Sequence, residues 1–181
     1  MAHEEEVFEV VDILKVTDRQ PVGDILANRL GWRSGTSAAN QAFKALCNLA
    51  SVGRIEKHRG FFRMPGTKSD YGIHDRLTTG AISQLLICRP GSIIYREHTI
   101  AEVGLRPDIL ALIVRGQEAR CAVIELANFE SESSLVAKRH VWDSWAGGAE
   151  YLSRLFGYRI PHFEFIALRE GESVCDKLSL T

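Results

Sequence analysis

The sequence has no apolar run approaching the ~20 residues that a membrane-spanning helix needs, which argues against an integral helical membrane protein and a membrane partner. Its opening, Met1-Ala2-His3-Glu4-Glu5-Glu6, is acidic and holds no signal-peptide core. The expected compartment is therefore the cytoplasm. Cysteine is scarce as well. The four residues, at 47, 88, 121 and 175, stand alone inside apolar stretches, with no CxxC pair and no Cys/His ligand spacing. That argues against a zinc site and leaves buried free thiols in a reducing compartment.

What is present is ordinary in bulk and uneven in detail. A chain of 181 residues suffices for one medium domain or two small ones, and 45% hydrophobic with 25% charged residues fits a globular protein. The net charge of −1 hides an asymmetry. Between Arg19 and Lys68 lie nine basic residues against two acidic ones, whereas residues 71–181 hold 12 basic and 14 acidic. One part of the chain is thus suited to an anionic partner, although a solvated face is the simpler explanation of any charge cluster.

Read in order, residues 5–16 place Phe8, Val11 and Ile13 or Leu14 on one side at helical spacing. Pro21 opens a second helix that carries Val22, Ile25, Leu26 and Leu30 inward and ends at Gly31. Ser34 or Thr36 can cap a third, running to about Val52, with Ala39, Phe43, Leu46 and Leu49 or Ala50 facing the core. Residues 54–64 alternate around a glycine-containing turn and predict a short hairpin. Three helices and a hairpin in this order resemble a winged helix-turn-helix domain over residues 1–65. In that resemblance the third helix reads DNA. Its outward residues are Ser37, Asn40, Gln41, Lys44 and Asn48, with Arg33 just before it; Arg54, Lys57, His58, Arg59 and Arg63 would charge the wing. These side chains are the kinds that meet base edges and phosphates, so the expected partner is double-stranded DNA.

Residues 66–73 have a linker composition, and a second domain is expected over 74–181. A helix from His74 to about Cys88 precedes a strand at 92–97. Next come two apolar runs, Ile109 to Val114 and Cys121 to Leu126, which form a hairpin if Gly116-Gln117 supplies the turn. Ser131 or Ser133 caps a helix predicted to continue through Leu155, and residues 161–168 form a last strand. Gly147-Gly148 inside that helix allows a bend or a close approach. The hairpin brings Asp108 and Glu125 to one edge of the sheet, where two carboxylates repel unless a cation or a proton holds them.

Pro107-Asp108, one hairpin, then Glu125 resembles the PD-(D/E)XK nuclease signature, and the order αβββαβ is that of its restriction-endonuclease-like core. The resemblance implies Asp108 and Glu125 as catalytic ligands of Mg²⁺ or Mn²⁺. Glu97, at the end of the neighbouring strand, is the candidate third metal ligand. The motif lysine is absent: its position is Ala127. Lys138 on the next helix is the candidate replacement. His74-Asp75, Glu97 before Arg106-Pro107-Asp108, Ile124-Glu125-Leu126, Glu130-Ser131-Glu132 and Lys138 together are similar to the plasmid replication-relaxation family, which pairs a winged helix with a nuclease-like domain. The expected fold is therefore α+β or α/β in two domains. The leading function is DNA binding on a plasmid or integrated mobile element, in replication, relaxation, transfer or their regulation, with a degenerate nuclease-like domain. An active metal-dependent endonuclease or nickase is the alternative. A dimeric protein-interaction module is the third, in which the second domain dimerises and the winged helix contacts protein. Trp142 and Trp145 are expected to be core or dimer-interface residues rather than base-stacking platforms.

Overall fold

Val7, Val10, Val11 and Leu14 are all buried along one side of helix α1 (Glu4–Leu14), the spacing expected of an amphipathic helix. The structure is a computed structural model that describes residues 3–115, 118–128 and 130–178. It is a mixed α+β protein that divides into two units, Met1–Pro90 and Gly91–Thr181.

In the first unit α1 is followed by β1 (Val16–Thr17), α2 (Arg19–Leu30), α3 (Thr36–Ser51), β2 (Glu56–His58), β3 (Phe61–Arg63) and α4 (Ile73–Cys88). The three strands form an antiparallel sheet in the order β1-β3-β2. β1 was not expected. Lys15 takes a left-handed φ of 61°, which ends α1 and leaves Val16 extended against Arg63. Asp18 caps α2 by accepting from the Gln20 N–H at 2.8 Å. The cap residue of α3 is Gly35, without a side-chain hydrogen bond, so neither Ser34 nor Thr36 plays the expected part. α2 and α3 meet closely at Gly23, where a Cβ would lie 2.7 Å from the Ala39 nitrogen. Between β2 and β3, Arg59 and Gly60 form a two-residue turn with φ of 45° and 95°, both on the positive side that such hairpins require.

The expected linker at 66–73 is instead a loop held within this unit. Arg63 donates to the Ser69 carbonyl at 3.0 Å, Ser69 donates to Asp75 at 2.6 Å, and the Tyr71 ring lies 5.5 Å from that of Phe61. Polar, glycine-containing loops have one composition whether they separate domains or wrap a core. α4 belongs to this unit too. It packs on α2, buries Ala81, Ile82, Leu85 and Leu86, and donates from Thr79 to the Val16 carbonyl at 2.9 Å. The expected boundary moves to residues 90–91, and the αβββαβ order loses its first helix to the unit before it.

The second unit runs β4 (Ile93–Arg96), β5 (Ile109–Arg115), β6 (Glu118–Leu126), α5 (Glu132–Ser144), α6 (Gly148–Phe156), β7 (Phe163–Leu168) and α7 (Val174–Lys177). Its sheet has the order β4-β5-β6-β7, antiparallel except for the β6–β7 pair. The β5–β6 hairpin forms as expected, although its turn at Gly116-Gln117 lies outside the described residues. Ser131 caps α5. The long helix expected through Leu155 breaks at Trp145, whose backbone is extended with ψ 91°, and α6 then starts close to the sheet: a Cβ on Gly148 would sit 2.7 Å from the Phe163 ring and 2.9 Å from that of Trp145. Trp142, 1% exposed, packs with Leu110, Leu112, Cys121, Val123 and Phe165, so it is a core residue.

Candidate functional site

Residues two apart on a strand share a face, and Glu125 follows Cys121 and Val123 onto the side of the sheet that packs with Trp142 of α5. Asp108, two before Leu110, is placed on the same side. The register Ile109↔Ile124 sets Asp108 opposite Glu125. The two acids do meet at one sheet edge, as the hairpin required. Asp108 accepts from the Leu126 N–H at 2.7 Å, so this carboxylate also closes the end of the ladder.

Glu125 is 4% exposed. An ionised carboxylate so enclosed needs a partner, and it has one. Lys138 reaches down from α5 and places Nζ 2.8 Å from Glu125 Oε2 and 2.6 Å from Glu130 Oε1. Burial pushes the Glu125 pKa up; the hydrogen bond from Lys138 opposes that shift, and the charge of Asp108 adds to it. For Lys138 partial burial works against the charge, but its hydrogen bonds to Glu125 and Glu130 outweigh it, and the pKa is raised. Lys138, on the helix that follows Ala127, thus stands against Glu125.

Glu130 is the residue that sequence patterns did not assign. It stands just before the Ser131 cap, accepts from Ser134 Oγ at 3.1 Å through its second oxygen, and shares Lys138 with Glu125. Ser134 and Lys138 lie four residues apart on one face of α5, and Glu130, four before Ser134, continues that spacing just ahead of the helix. That spacing was visible in the sequence. What was not visible is which stripe of the helix faces the strand end.

Glu97 does not join the group. Its N–H extends the β4 ladder to the Asp108 carbonyl at 3.0 Å, but its φ of 52° breaks the strand alternation. Its carboxylate pairs with Arg106. The expected third metal ligand is therefore occupied elsewhere. Asp108 and Glu125 offer carboxylate oxygens, the hard donors that Mg²⁺ and Mn²⁺ take, so this pair is chemically suited to such an ion. Among the described residues no group of three or more His, Cys, Asp or Glu side chains is placed to hold a metal.

In the first unit Ser37, Asn40, Gln41 and Lys44 are exposed on α3 at the helical spacing that puts them on one face, and Arg33 is exposed in the preceding turn. Lys57 leans onto this helix, with Nζ 5.2 Å from the Phe43 ring centre and 3.8 Å from Cys47 Sγ. Arg59 is exposed at the hairpin turn, and His58 stands between Phe61 and Asp70. Three expected contacts serve the fold instead. Asn48 donates to Glu4 at 3.3 Å. Arg54 makes a two-point pair with Glu5, at 2.5 and 3.0 Å, and lies 4.0 Å over the Phe8 ring. Arg63 is held by Glu56 at 2.7 Å and by the Ser69 carbonyl. Arg19 also stands beside α3: it donates to Asn40 Oδ1 at 3.3 Å and lies 5.8 Å from the Phe43 ring.

No family model, no curated protein and no solved structure matches the chain.

Proposed function

We propose that the protein binds double-stranded DNA through α3 and acts on a plasmid or integrated mobile element, in replication, relaxation, transfer or their regulation. The element order of residues 4–63 and the strand order β1-β3-β2 support a winged helix, in which α3 is the recognition helix and Arg59 lies on the wing. The observation that carries the proposal is the exposed face of Ser37, Asn40, Gln41 and Lys44, flanked by Arg19 and Lys57. Amide and hydroxyl groups suit base edges, and the cations suit phosphates. In this reading the second unit is a nuclease-like scaffold that has lost cleavage. The test is a gel shift on duplex DNA, run with increasing salt and with Lys44→Ala. Retardation that weakens with both supports the proposal; no retardation at low salt overturns it.

A second reading is favoured by one contact, Lys138 to Glu125. The degenerate assignment rests on Ala127, and a lysine ammonium does stand at the paired acids, delivered by α5. In this reading the protein is a Mg²⁺- or Mn²⁺-dependent endonuclease or nickase. A divalent cation would supply acidification of a bound water and stabilisation of the charge that builds on phosphorus-bound oxygens. Asp108 and Glu125 would hold it, and Lys138 would orient the water or the phosphate. Supercoiled plasmid with Mn²⁺ separates the readings: nicking lost in both Asp108→Ala and Glu125→Ala supports the second, and intact plasmid leaves the first.

A further inference from the structure

The four side chains at the end of β6 are not balanced. Asp108, Glu125 and Glu130 supply three carboxylates and Lys138 one ammonium, so when all are ionised they carry two surplus negative charges. The ammonium is also not committed to one partner. It is bonded at 2.8 Å to Glu125, which is enclosed on the strand, and at 2.6 Å to Glu130, which is anchored separately. That anchoring is local to α5: Ser134 Oγ donates to Glu130 Oε2 at 3.1 Å, and Ser134 N–H donates to the Ser131 cap at 3.2 Å. Glu130 therefore has a contact with α5 that does not pass through Glu125. Glu125 and Glu130 thus offer Lys138 two berths, one inside the carboxylate pair and one beside it.

We infer that Lys138 is an exchangeable counter-ion, shared by Glu125 and Glu130 in the cation-free protein and retained by Glu130 alone when Asp108 and Glu125 take up a divalent cation. Glu130 is then a positioning residue. It lowers the barrier to vacating Glu125 and keeps the ammonium within reach of the site afterwards. A lysine with no second berth would compete with the cation for Glu125 at full strength, because a desolvated ammonium bound to a buried carboxylate is released only at the expense of both charges. The inference rests on the divalent-cation reading of the site, but its test needs neither DNA nor cleavage.

The experiment is calorimetric titration of MnCl₂ into the full chain, comparing wild type, Glu130→Gln, Lys138→Met and the double variant, each checked by circular dichroism. Glu130→Gln, which keeps the Lys138–Glu125 pair, is expected to weaken Mn²⁺ binding about fivefold, and Lys138→Met to tighten it by a similar factor, the scale of one partly exposed ion pair. The double variant carries the decision. If Glu130 acts through Lys138, Glu130→Gln has no effect once Lys138 is methionine. An equal loss in both backgrounds would make Glu130 a direct cation ligand and overturn the exchange. Unchanged affinity in both single variants would overturn the exchange while leaving the cation site standing. Should Lys138→Met fail to fold, Lys138→Gln takes its place in the cycle. Absence of Mn²⁺ binding in wild type and in the lysine variant would remove the site and the exchange together.

Discussion

Lys138 Nζ stands 2.8 Å from Glu125 Oε2, an ammonium delivered by a helix to a carboxylate enclosed on a strand. Lys138→Met would leave Glu125 buried without its cation. The Glu125 pKa, already above its ordinary value of 4.5 through burial, would rise further. A carboxyl whose folded pKa is raised weakens the fold as pH climbs through the interval between its unfolded and folded values, and not below it. The expected loss is about 1–3 kcal/mol at pH 8, the scale of a buried polar group stripped of its partner, and it should shrink towards zero at pH 4. Thermal melts at both pH values measure this. An equal loss at both would show that Lys138 acts by packing alone.

Cys121 gives a second pH-dependent expectation. Burial pushes its thiol up to about 12 from an ordinary 9.0. The unfolded chain releases that proton first, so stability should fall as pH rises above 9.0. The same burial shields the sulfur. In a thiol-reagent titration of the native protein at pH 8, the exposed Cys88 should react first and Cys121 only with unfolding. Early modification of Cys121, identified by peptide mass, would contradict its place in the core.

Gly23 is where α2 and α3 come close enough to exclude a side chain. Gly23→Ala would force a methyl to within 2.7 Å of the Ala39 backbone and push the helices apart. A loss of roughly 1–3 kcal/mol is expected, the usual scale of overpacking. Gly80, with nothing near an added Cβ, is the control: Gly80→Ala in the interior of α4 should stabilise or leave stability unchanged. Chemical denaturation of the two variants checks both.

Periodicity made α1 to α4, the β5–β6 hairpin and the meeting of Asp108 with Glu125 legible, because those follow from spacing along a chain of known pitch, but it ran α5 and α6 together and missed α7. Side-chain commitments across the fold were less legible. Arg54 and Arg63 looked like wing cations, but Glu5 and Glu56 claim them, and no local pattern announces a partner 49 residues away, as Glu5 is from Arg54. Arg19 was counted only as charge, since its position beside Asn40 depends on how α2 meets α3. The loop at 66–73 has the same composition as a true linker, so its attachment to the first unit was hidden. Glu97 sat in a favourable sequence position and was diverted by a left-handed backbone and by Arg106.

The distinction between committed and available cations leads to a sharp expectation for Arg54. Its guanidinium holds Glu5 below the ordinary carboxylate range and covers Phe8. Arg54→Ala should therefore lower the melting temperature and leave DNA affinity nearly unchanged. A large loss of affinity in a folded Arg54→Ala protein would place the DNA surface elsewhere.

A DNA surface on α3 and its flanking cations would show itself in the binding of duplex DNA. Fluorescence anisotropy of a labelled duplex tests it most directly, with wild type, Arg19→Ala, Lys44→Ala and Arg59→Ala compared across a salt series. The expected result is binding that weakens as salt rises, with the dependence on log salt reduced by about one in each variant that loses a phosphate contact. Binding that is absent at low salt, or that is indifferent to all three substitutions, would contradict it.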